Sequence, residues 1–209
     1  MADFRPGDTL ITISYGNSPI SKAIQFYQCE LLGHPDPAWR STHAETILTV
    51  GSQVIVTGSQ TFPIAKRVVH NKAKIQVGLL GDRPKYALFR FRDYSNVVSH
   101  PFEIAMQRWW KEKIGDGEPL LKRWWGAFYD VGQLLMYPIN WVRHKLGAKG
   151  VVAWLEKTHA NVCSDACASS YRAGLTADGK QEDYIFEGIS SSRVAPSHFW
   201  VEKVLMRIL

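Results

Sequence analysis

Cys163 and His43 are the residues with the strongest claim to chemistry. Cys163 stands in Asn161-Val162-Cys163-Ser164-Asp165-Ala166-Cys167-Ala168, an apolar lead-in followed by an Ala-rich stretch that ends at Tyr171-Arg172-Ala173-Gly174. This pattern predicts a helix whose first turn holds Cys163 and whose C-terminal stop is Gly174. A thiol at that position feels the positive end of the helix dipole, which favours the nucleophilic thiolate. Cys167, one turn further on, loses most of that field and is expected to face the core. A thiolate needs an imidazole partner for acyl transfer. His43 lies in Thr42-His43-Ala44-Glu45-Thr46-Ile47-Leu48-Thr49-Val50, which reads as a strand. His159 is the rival base and reads as a loop residue.

Strand alternation puts His43, Glu45, Ile47 and Thr49 on one face and Ala44, Thr46, Leu48 and Val50 on the other. Glu45 is thus within reach of His43, although a solvated or ion-paired carboxylate is its expected state. Cys29, His34, His43 and Cys163 have no spacing of the usual metal-binding kinds. Neither a metal site nor a cofactor is expected.

The elements that must position these residues begin with Pro6-Gly7-Asp8 turning into a strand over Thr9 to Ser14. Ser18-Pro19 opens a helix to Gln28, with Ile20, Ala23, Ile24 and Tyr27 on its apolar face. Gly51-Ser52 turns the His43 strand into a partner at Val54 to Thr57. Further strands are expected at Lys74–Leu79 and Tyr86–Phe91. Helices follow over Phe102–Ile114, about 119–127 and 131–146, and Pro196 opens a last one to Leu209. Val151 to Leu155 reads as a short strand or a helical turn. Strands first and helices later predict an α+β fold, a small antiparallel sheet packed against helices.

With 209 residues, one domain with a full core is expected. An apolar content of 45% and a charged content of 21% exclude disorder. Three cysteines, Cys29, Cys163 and Cys167, are too few for a disulfide framework. The opening residues show no Sec-type signal and no apolar run is long enough to span a membrane. A cytoplasmic protein is expected, or one delivered by a virion or a dedicated secretion machine. The net charge of +6 is uneven, with basic residues alternating with tryptophans between Arg83 and Lys157. Arg108-Trp109-Trp110-Lys111 and Lys122-Arg123-Trp124-Trp125 suit a membrane surface or a sugar polymer. No nucleic-acid motif is present, so a nucleic-acid partner is not expected.

Several short stretches, in order, resemble the circularly permuted branch of the NlpC/P60 papain-like cysteine hydrolases, the branch that includes lecithin-retinol-acyltransferase-like proteins. Pro6-Gly7-Asp8-Thr9-Leu10-Ile11 is similar to the opening strand of that family, and Ser41-Thr42-His43-Ala44-Glu45 to its histidine strand. Gly126-Ala127-Phe128-Tyr129-Asp130 is similar to the segment upstream of the nucleophile, and Val162-Cys163-Ser164-Asp165-Ala166 to the nucleophile's helix start. Val194-Ala195-Pro196-Ser197-His198-Phe199 is similar to the closing segment. Histidine before cysteine is the permuted order.

The resemblance implies a single permuted domain over 1–209, with a Trp-rich basic helical segment at about 101–147. It implies Cys163 as nucleophile and His43 as base. The start of the Cys163 helix, Ser164 included, would line an oxyanion region, with Tyr129 near the site. The family's orienting glutamate on the next strand has no counterpart here, and Thr57, Ser59 and Gln60 are the candidates for that role. The implied activity is cleavage of a cell-envelope amide, most commonly in peptidoglycan. Lipid hydrolysis or acyl transfer at a membrane surface is the alternative, and a catalytically silent envelope-binding module is the reading from a different class.

Overall fold

A computed structural model describes residues 3–16, 18–61, 64–114, 139, 142, 143, 145–147 and 163–208, without the side chains of 55, 57–61, 64–67 and 192. It is a mixed α and β structure whose centre is one antiparallel sheet. In chain order the strands are β1 (Thr9–Ile13), β2 (Ser41–Val50), β3 (Val54–Thr61), β4 (Ile64–His70), β5 (Tyr86–Phe91) and β6 (Leu205–Arg207). Their spatial order is β4-β3-β2-β1-β5-β6. The helices used below are α1 (Pro19–Phe26), α2 (Lys72–Gly78), α3 (Tyr94–Val97), α4 (His100–Ile114), α5 (Cys163–Ala177) and α6 (His198–Val201).

Both faces of the sheet are covered. Ile11, Ala44, Leu48, Ala87 and Phe89 form one core with Phe102, Met106 and Trp110 of α4 and Cys167, Tyr171 and Leu175 of α5. Leu10, Ile47, Val56 and Leu88 form the other with Phe4 and with Ile75 and Leu79 at and just beyond α2. The alternation predicted for β2 is visible here, since Ile47 enters one core while Ala44 and Leu48 enter the other.

The expected strand at Lys74–Leu79 is instead α2. Asn71 caps it, its side chain accepting from the Lys74 backbone N–H at 3.1 Å. Ile75 and Leu79 are buried one turn apart, whereas Val77, which a strand would have placed beside them, is 73% exposed. The expected last helix stops at Val201, and Leu205–Arg207 pairs with Phe89–Phe91 as an edge strand. Gly174 does not end α5 but lies inside it. A Cβ there would come within 2.6 Å of the Phe102 ring, so this glycine lets α4 and α5 approach. The actual stop is Gly179, whose φ of +73° suits a glycine after a helix.

Trp110 is wholly buried in the core and Trp109 packs edge-on against it. The first tryptophan pair therefore builds the core, and Trp110 cannot serve as a membrane contact. Trp124 and Trp125 lie outside the described residues, as do the helices expected at 119–127 and nearly all of 131–146, and the segment 151–155. Among the described residues no helix is long and apolar enough to cross a membrane.

Candidate functional site

β2 carries His43 opposite Thr12 of β1, and a bulge follows where Ile13 pairs with Ser41. The entry to β2 is held from outside the sheet. Buried Gln28 donates to the Trp39 and Ser41 carbonyls at 2.9 and 2.7 Å and accepts from the Ser197 backbone N–H at 2.8 Å. Trp200 Nε1 donates to Ser41 Oγ at 2.8 Å. The segment from Ala195 to Trp200 thus acts as a clamp on the histidine strand.

α5 is fixed against the sheet along its length. Tyr171 donates to the Gly7 carbonyl at 2.8 Å and its oxygen also meets Thr9 Oγ1. Gly7 takes a φ of +84°, which lets the chain turn into β1. The next residue, Asp8, is fully buried and receives Arg90 through two bonds of 2.8 and 2.7 Å. The Pro6-Gly7-Asp8 signature is therefore structural. Cys167 is buried as expected, bonded to Thr46, and burial pushes its thiol well above the ordinary range.

Cys163 is the first residue of α5, and the His43 imidazole is hydrogen-bonded to it. Cys163 is 7% exposed and the His43 side chain 15%. His43 Nε2 lies 3.6 Å from Glu45 Oε1, and the carboxylate's other oxygen accepts from His70 Nε2 at 3.1 Å. Glu45 is thus completely buried and shared by two imidazoles, so of its two expected states, solvated or ion-paired, it takes the ion-paired one.

Burial by itself would lower the pKa of His43. The charge of Cys163 and the hydrogen bond to it, reinforced by Glu45, instead raise it to about 10. For Glu45, burial favours the neutral acid, but the neighbouring imidazoles of His43 and His70 outweigh it and bring the pKa down to about 2. At neutral pH the His43 imidazole is thus cationic, beside the Glu45 carboxylate and the Cys163 sulfur.

The structure thus brings together Cys163 and His43 and adds Glu45 and His70. Glu45 was legible as a face-mate of His43, but nothing local marks His70, whose approach depends on where β4 ends. Thr57, Ser59 and Gln60 lie on β3 with their side chains outside the described residues, and the carboxylate the structure places beside His43 is that of Glu45. Tyr129 and His159 also lie outside the described residues. Ser164 is fully enclosed, and its hydroxyl makes no hydrogen bond among the described residues, so its side chain is not presented to solvent. No group of three or more His, Cys, Asp or Glu residues with metal-binding geometry occurs among the described residues.

Comparison with known proteins gave no match to any family model or any curated protein sequence.

Proposed function

We propose that this protein is a cysteine-dependent hydrolase of the circularly permuted NlpC/P60 papain-like kind, cleaving an amide of the cell envelope, a peptidoglycan peptide. One observation carries the proposal: Cys163, at the first position of α5, is hydrogen-bonded to an imidazole that Glu45 holds from a buried position. That is the nucleophile–base–orienter relay of covalent acyl transfer.

The Cys163 thiolate attacks the amide carbonyl carbon, and the developing oxyanion meets backbone N–H groups at the start of α5. The tetrahedral intermediate collapses as His43 gives its proton to the leaving nitrogen. The C–N bond breaks, the amine departs and a thioester remains on Cys163. Neutral His43 then takes a proton from water, whose hydroxide attacks the thioester. The C–S bond breaks, releasing the acid and restoring the thiolate–imidazolium pair. Glu45 keeps the imidazole oriented and stabilises its cationic form throughout.

The test compares wild type with Cys163→Ala on purified peptidoglycan and, separately, on anionic phospholipid vesicles, with products analysed by mass spectrometry. Muropeptide cleavage that disappears in Cys163→Ala is the expected result. Cys163-dependent release of fatty acid would replace the peptidoglycan substrate with a lipid one. Binding without any product would replace the enzyme with an envelope-binding module.

A further inference from the structure

At the corner where α2 leads into β5, Ala73, Lys74, Val77, Gly78, Leu80, Arg83, Lys85 and Tyr86 line a groove of about 440 Å³. Its chemistry is amphipathic. Val77 and Leu80 are 73% and 61% exposed, unusually high for apolar side chains beside a concavity. Lys74, Arg83 and Lys85 surround them, all exposed, and no carboxylate is paired with any of the three among the described residues. Asp82 shares the turn but does not line the groove.

The floor is built rather than accidental. The Tyr86 ring rests on Gly78, where a Cβ would come within 2.5 Å of it, so only glycine leaves room for this wall. Register ties the groove to the site. Tyr86 and His43 are both cross-strand partners of Thr12, so all three side chains share one face of the sheet. Two strand spacings put Tyr86 roughly 10 Å from His43.

We infer that this corner is a docking surface for anionic lipid bilayers, with Lys74, Arg83 and Lys85 meeting the head groups and Val77 and Leu80 entering the interface. Cations with no carboxylate partner among the described residues, set around exposed aliphatic side chains, are what an interfacial site requires, because each part has a partner in the bilayer; Arg83 also lies over the Tyr15 ring, 6.0 Å from its centroid. An acidic polymer would satisfy the cations but leave Val77 and Leu80 in water. Docking here would hold the His43 face of the sheet close to the membrane. The inference is independent of which acyl bond Cys163 attacks.

Sedimentation of the full chain with sonicated vesicles tests it. Wild type is expected to partition to phosphatidylcholine vesicles containing phosphatidylglycerol and not to pure phosphatidylcholine. Each cation near an anionic surface is worth roughly a fivefold gain in partitioning, so K74Q/R83Q/K85Q should bind about a hundredfold less. V77S/L80S should bind several-fold less at unchanged charge. K74R/K85R should bind like wild type, and circular dichroism of all variants separates loss of binding from loss of fold. Unchanged partitioning of the triple variant, or equal binding to neutral vesicles, would overturn the inference. So would wild-type chain that ignores vesicles but binds purified peptidoglycan through the same three cations.

Discussion

Glu45 follows His43 by two positions on one strand, and its Oε1 sits 3.6 Å from His43 Nε2. The carboxylate and the imidazole therefore come from a single run of backbone, with strand alternation alone putting them side by side. His70, from β4, takes the carboxylate's second oxygen and keeps it from turning away.

Removing the charge while keeping the shape should expose this dependence. In Glu45→Gln the pKa of His43 should fall from about 10, because one of the groups favouring its cation is gone. The high-pH limb of kcat/KM, where His43 loses the proton it must donate, should move to lower pH, with a rate loss of about 10²–10⁴-fold. An NMR titration of the His43 ring beside the pH–rate profile checks both. A rate loss with no shift of the His43 titration would reduce Glu45 to a packing role. Glu45 also stabilises the fold above its ordinary pKa of 4.5, a contribution lost as pH falls towards 2 and absent from Glu45→Gln.

His198 should govern stability in weak acid. It is 9% exposed, and its Nδ1 accepts from the Ala195 backbone N–H at 2.8 Å. Burial and the neighbouring His34, whose ring lies 5.0 Å away, depress its pKa from 6.5 to about 4. A depressed folded pKa means that stability is fully present above 6.5 and declines as pH falls through 4. The loss is on the order of 3 kcal/mol. His198→Asn, whose side-chain oxygen can still accept from Ala195, should flatten the urea-unfolding midpoint between those pH values. A midpoint as pH-sensitive as that of wild type would exclude this clamp as the acid-labile element.

Gly174→Ala opposes two effects. Replacing glycine inside a helix ordinarily stabilises by about 1 kcal/mol. Here the added carbon meets the buried Phe102 ring at 2.6 Å, and overpacking of that kind costs about 1–3 kcal/mol. Net destabilisation in urea is expected, and relief is expected in Gly174→Ala/Phe102→Leu. A Gly174→Ala chain more stable than wild type would show that α4 can move away freely.

Much of the site was legible in the chain itself. A cysteine followed by small helix-forming residues determined that Cys163 opens a helix, and alternation determined that His43 and Glu45 share a face. These are local signals, because dihedral preference and side-chain period act over a few residues. The strands at β1, β2 and β5 and the start of β3 were readable for the same reason.

What required tertiary structure was everything settled by distant neighbours. Lys72–Gly78 is too short for its apolar spacing to distinguish helix from strand, and the Asn71 cap with the packing of Ile75 decides it. Trp110 faces inward because α4 lies against α5, although its basic neighbours suggested a surface. Gly174 is a helix-packing residue only because Phe102 is opposite. His70 reaches Glu45 from β4, two strands across the sheet from β2. Sequence alone thus determined the Cys163 helix and the His43 strand. The meeting of Cys163 with His43, and the second imidazole on Glu45, depend on long-range packing that no local period encodes.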